Sequence, residues 1–264
     1  MEDILGYIGA LVIGLVLGLI GGGGSILTVP LLVYLLGYSP VVATAYSLFV
    51  VGSSSLVGVV QKHRRKLVDF KTGFTFVFPS FLAVYLSRRF LVPFIPEQIF
   101  TINSYVFTKD MVIMVFFALV MFLASISMIK NKKNLEHSIQ KKSQAYYKTF
   151  VQGLFIGVVT GIIGAGGGFL YVPALVLWAG LDMKKAVGTS LVIIAFNSLI
   201  GFTGDVQTLA IEWQFLLTFS AITIVGILLG GYFSKYISNK KLKKSFGWFV
   251  MVMALYILIK EIMA

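Results

Sequence analysis

The sequence contains no cysteine, which excludes disulfides, thiolate nucleophiles and cysteine-ligated metals. Histidine is nearly as scarce: His63 and His137 both sit in basic stretches. Neither suggests a metal site, and no metal or cofactor is expected. Charge is sparse as well. Asp, Glu, Lys and Arg make up 12% of 264 residues, against about 25% in an ordinary soluble domain. The acidic share is smallest, 10 residues against 22 basic ones, for a net charge of +12. In a soluble chain such an excess would suggest nucleic acid. Here the cations stand in short runs between apolar stretches, as in loops that face anionic lipid. The expected partners are membrane lipids and a small anionic substrate, with no nucleic acid; a homodimer is compatible with the composition.

Hydrophobic residues make up 58% of the chain, and the mean hydropathy is +0.94. Apolar runs cover 4–20, 26–36, 41–61, 72–92 and 110–130, then 149–163, 169–180, 185–204, 212–233 and 245–263. Spanning a bilayer takes about 20 apolar residues in a helix. The expectation is an all-α polytopic membrane protein with about eight transmembrane helical elements. The start, Met1-Glu2-Asp3-Ile4, is acidic and runs straight into an apolar stretch, unlike a cleaved leader. A polar linker over 131–148 divides a first repeat, 1–130, from a second, 149–264.

The halves repeat. At a shift of 143 residues, Gly18 to Gly58 lies over Gly161 to Gly201 without a gap, with 17 of 41 positions identical. Pro30/Pro173, Gly37/Gly180, Ser47/Ser190 and Ser55/Ser198 all match. Each half is interrupted by a glycine cluster, Gly21 to Gly24 in the first and Gly164 with Gly166 to Gly168 in the second. If each broken segment crosses once, the halves are parallel and the basic stretch 235–244 faces away from 62–71 and 131–148. If each enters and returns as a hairpin, all three basic stretches face one side and the halves are inverted. The positive-inside tendency favours inverted repeats with those stretches cytoplasmic in a multi-pass cell-membrane protein.

Each interior glycine costs a helix about 1 kcal/mol relative to Ala, so the clusters should unwind it. Unwound backbone at membrane depth survives only inside protein or beside water. Matched breaks in two halves point to a transporter's binding site. A helix restarting after each break presents free N–H groups and a partial positive charge, which attract anions. Gly22, Gly23, Gly24 and Ser25, with Gly166, Gly167 and Gly168, are therefore the expected substrate-binding backbone. Ser47, Thr189, Ser190 and Asn197 in the following helices are the expected side-chain contacts. Gly14/Gly18, Gly153/Gly157/Gly161 and Gly226/Gly230 have instead the spacing of close helix packing. No Gly-Lys-Ser/Thr follows either cluster, so a nucleotide P-loop is excluded. No charged residue falls in the middle of a proposed span, and Arg88-Arg89 read as an interfacial pair on lipid phosphate or as an external anion funnel. With no polar catalytic cluster, an enzyme is not expected. A carrier, an anion channel and a non-transporting scaffold remain open.

The two glycine breaks, the prolines that follow them and the stretch Lys62-His63-Arg64-Arg65-Lys66-Leu67-Val68-Asp69 together resemble the sulfite exporter TauE/SafE family. Gly188-Thr189-Ser190-Leu191 fits the family's next motif. The first half departs from it with Tyr46 in place of Thr, Ser25 in place of Gly and Lys66 in place of Gly, and its 88–110 stretch is long. The resemblance implies alternating-access transport of sulfite, a sulfonate or a related organosulfur anion.

Overall fold

The computed structural model describes residues 2–102, 105–130, 146–163 and 167–263. The first half contains α1 (Glu2–Ile20), α2 (Gly23–Tyr34), α3 (Pro40–Arg64), α4 (Phe70–Phe94) and α5 (Lys109–Lys130). The second contains α6 (Tyr146–Ile163), α7 (Gly168–Leu177), α8 (Met183–Val206), α9 (Trp213–Phe233) and α10 (Asn239–Met263). Six of these are long and apolar enough to cross a membrane. The chain is a helical multi-pass membrane protein. Gly164, Gly166 and most of the linker, 131–145, lie outside the described residues. The long 88–110 stretch contains the one strand pair among the described residues, an antiparallel hairpin of β1 (Gln98–Ile102) and β2 (Tyr105–Thr108).

Polarity is distributed as a lipid solvent demands. On α4, Phe74, Phe78, Leu82, Leu86 and Phe90 recur every four residues and are exposed. The opposite face buries Ser80, Val84 and Arg88. In water this pattern would be inside out; in hydrocarbon it places apolar side chains on lipid and polar groups among partners. Near its end α4 passes through a π-helical turn, Ser87–Leu91. Pro93 has no N–H for the Arg89 carbonyl, and the ladder shifts so that Val92 N–H donates to Ser87 O.

The packing glycines behave as their spacing implied. A Cβ on Gly14 or Gly18 would collide with the α9 backbone, at Thr223 and Ile227 respectively. One on Gly157 would lie 2.5 Å from Ser80 O of α4, and one on Gly161 2.6 Å from Ser87 Cβ. Thus α1 runs parallel to α9, and α6 parallel to α4. Exchanging the halves turns one contact into the other. The same holds for α3 on α9 and α8 on α4, while α3 packs antiparallel on α8 and α5 packs on α10.

The direction of the broken segment is also settled in the first half. Gly24 packs on Ile13 and Leu17, Gly9 on Leu31, and Gly6 on Leu36, so α2 folds back antiparallel along α1. Three basic segments meet at one end of the bundle: Lys62 donates to Ser234 Oγ, Arg65 to Gly231 O, and Lys184 to Lys235 O.

Candidate functional site

The two breaks touch. A Cβ on Gly168 would lie 2.5 Å from Gly22 Cα, and one on Gly22 would strike the Gly168 carbonyl. Only glycine permits that approach. Gly21 (φ 83°) and Gly167 (φ 68°) turn the chain in the left-handed region that favours glycine. The start of α2 at Gly23 and that of α7 at Gly168 carry no side-chain cap. Two helix N-termini, with their positive dipole ends, therefore converge in the interior. The breaks are not identical, because α7 begins at the repeat position of Ser25, two residues later than α2 begins.

Asn197 stands beside them. It is fully buried, and its Nδ2 donates to Ser80 Oγ at 2.7 Å and to Tyr171 OH at 2.6 Å. Its carbonyl Oδ1 has no partner among the described residues. The same is true of the hydroxyls of Ser47, Ser54, Ser55 and Ser198, all buried on the packed helices α3 and α8. A buried polar group left unmet costs about 1–3 kcal/mol. The repeat explains the asymmetry of this cluster. Asn197, Tyr171 and Ser80 occupy the positions of Ser54, Thr28 and Thr223 in the other half. Those three are short, and Thr28 and Thr223 turn back on their own helices at Gly24 O and Phe219 O. The long, mutually bonded polar set belongs to one side only.

Several expected contacts serve other ends. Thr189 Oγ1 accepts the N–H of Asp69, at 2.9 Å, and so ties α8 to the start of α4. Asp69 in turn caps α4 by accepting from Thr72 N–H. Tyr46, at the repeat position of Thr189, does the same job with a longer reach: its OH accepts the Glu212 N–H at the start of α9, at 2.8 Å. The departure from Thr at 46 thus keeps the contact. Ser190 donates to Val187 O and touches the position of Gly21's missing Cβ, at 2.8 Å. Gly24 packs on α1. Gly23 opens the first turn of α2 and Ser25 follows it, but the Ser25 side chain and Gly166 lie outside the described residues.

The expectation for Arg88 is corrected. It is 1% exposed and does not reach lipid. Its guanidinium binds the carboxylate of Asp205, with Nη2 2.6 Å from Oδ2 and Nε bonded to both oxygens, and Nη1 donates to Thr44. A charged pair therefore does lie inside the protein, joining α4 to α8. Sequence reasoning missed it because each residue sits near the end of its apolar run, where an exposed position is the ordinary reading. It also missed Tyr171 and Ser80, which look like an aromatic and a hydroxyl in core helices; the repeat register was the available signal.

The profile of the family described as sulfite exporter TauE/SafE matches residues 7–257. The chain belongs to that family. Among similar TauE/SafE-like relatives, a probable membrane transporter protein of Xylella fastidiosa is 26% identical over 93% of this chain and 91% of its own. The probable membrane transporter protein YunE of Bacillus subtilis is also 26% identical, over 97% and 96%. One from Haemophilus influenzae is 28% identical over 96% of each chain. No solved structure matches. With this family membership the chain is a membrane transporter, and Lys66 finds its reason: at φ 56° it holds a left-handed turn where the family commonly has glycine.

Proposed function

We propose that this chain is a secondary carrier that moves a small anion, sulfite, a sulfonate or a related organosulfur anion, by alternating access between two inverted halves. The observation that carries the proposal is the meeting of two helix N-termini where Gly22 touches Gly168. Their N–H groups and dipoles suit an oxyanion, and they hold it without a fixed positive side chain that would bind too tightly to release. Asn197 and the unmet serine hydroxyls supply the remaining polar contacts. The antiparallel return of α2 along α1 supports the hairpin reading of the first break, and with it an odd number of crossings per half. The meeting of the segments around Lys62 and Lys235 at one end supports inversion, with the basic end cytoplasmic. In this reading the contact of Gly22 with Gly168 is an occluded state, and rocking of the packed helices α3 and α8 opens one side at a time.

Counterflow of labelled sulfite in proteoliposomes tests the proposal. A carrier loads label against an unlabelled internal pool and saturates, whereas a pore gives steady current and no counterflow. Asn197→Ala is expected to lower the sulfite rate at least tenfold while the protein remains in the membrane. A wild-type rate in that variant would remove Asn197 from the site.

A further inference from the structure

Among the described residues, a buried charge at the basic end of the bundle has no counter-charge in ion-pair contact. Lys62 lies in the last turn of α3 and is 2% exposed. Its ammonium donates to Ser234 Oγ at 2.6 Å. That hydroxyl gives its own proton to Gly231 O, so it acts as a neutral dipole and cancels no charge. Arg65 donates to Gly231 O at 2.6 Å, and Lys184 to Lys235 O at 3.3 Å. Both are cations, so neither neutralises the Lys62 ammonium. Among the described residues the one ion pair is Arg88 with Asp205, at the other end of α8. A buried ion without a partner is strongly unfavourable, and proteins meet that cost with a counterion.

The repeat sharpens the contrast. Asp205 occupies the repeat position of Lys62, 143 residues on, and reaches across to the fourth helix of the other half, as Lys62 does. Asp205 meets Arg88 there. The repeat position of Arg88 is Gly231, which offers Lys62 no acid. One half completes this cross-helix contact with an ion pair, and the other completes it with a cation and a neutral hydroxyl. The place is close to the first break. A Cβ on Gly188 of α8 would lie 3.4 Å from Lys62 Cβ, and the adjoining Val187 touches the position of Gly21's Cβ at 3.0 Å.

We infer that Lys62, with Arg65 and Ser234, forms an oxyanion-binding site at the basic end, separate from the glycine breaks, where the bound anion supplies the missing counter-charge. The inference rests on the carrier reading for the choice of sulfite as ligand; the chemistry it recognises, a tetrahedral or pyramidal oxyanion, is shared with the phosphate of an anionic lipid. On the carrier reading it is a waiting position between the aqueous phase and the break.

Purified protein in neutral detergent tests it by thermal shift at constant ionic strength, with sulfite in one arm and phosphatidylglycerol in the other. Stabilisation by sulfite that Lys62→Met weakens at least tenfold in apparent affinity, and Lys62→Arg keeps within about threefold, supports a solute site. The same pattern with phosphatidylglycerol alone supports the site and assigns it to lipid phosphate. Wild-type response to both ligands in Lys62→Met overturns the inference. Lys62→Met removes an uncompensated charge, so its ligand-free melting temperature should equal or exceed that of wild type; Lys62→Gln serves as a second neutral variant. Asn197→Ala separates the two readings. If it abolishes counterflow while Lys62→Met leaves ligand binding intact, the carrier stands and the Lys62 site falls.

Discussion

Breaking the Arg88–Asp205 pair has a calculable consequence. Both side chains are buried, and three nitrogen–oxygen contacts of 2.6–3.0 Å join them. Asp205→Asn keeps the shape and removes the negative charge, leaving the buried guanidinium with neutral acceptors alone, the amide oxygen at 205 and the Thr44 hydroxyl. Removing one partner of a buried pair costs about 3–5 kcal/mol, because the other charge is stranded. Replacing both, as in Arg88→Met with Asp205→Leu, strands nothing; such replacements are often neutral or stabilising by about 1–4 kcal/mol. The double variant should therefore be more stable than either single one. Unfolding of wild type, Arg88→Met, Asp205→Leu and the double variant in mixed micelles, followed by circular dichroism, gives the four corners of the cycle. The reasoning is refuted if Asp205→Asn costs less than about 1 kcal/mol, or if the double variant loses the sum of the single losses, since neighbours that share a charge should couple by at least 0.5 kcal/mol.

Gly22→Ala should abolish sulfite counterflow and lower stability, because its Cβ collides with the backbone of Gly168 and not with a movable side chain; full counterflow would show that the breaks do not meet in the working protein. Lys66→Gly should stabilise the chain by about 1–2 kcal/mol, the cost of a left-handed non-glycine residue, less the added unfolded-state freedom; the melting temperature measures it, and a clear fall would contradict the strained turn at φ 56°. The absence of cysteine makes topology easy to test. Lys71→Cys and Ser238→Cys should react with an impermeant maleimide only from the cytoplasmic face and Glu97→Cys only from outside, and any mixed result breaks the inverted arrangement.

Much of the fold was legible beforehand. Apolar length, the lysine-rich stretches and the glycine clusters are local properties, and each acts on the backbone whatever surrounds it. Gly14, Gly157 and Gly226 pack helices as their spacing implied, and the matched Gly37 and Gly180 both take a positive φ where α2 and α7 end. The candidate site was legible only as backbone. Thr189 and Asn197 looked alike in sequence, as polar residues in one buried helix, yet one holds a loop at Asp69 and the other lies among Tyr171 and Ser80.

The sequence by itself determined that the chain is helical and lies in a membrane, because hydrocarbon length and backbone propensity are set residue by residue. Tertiary structure decided which polar groups are met and which are left wanting. That outcome depends on how α3, α4, α8 and α9 pack: the same packing geometry gives Asp205 its arginine and leaves Lys62 with a hydroxyl. Charge compensation at membrane depth belongs to pairs of helices, and no single segment of sequence contains it.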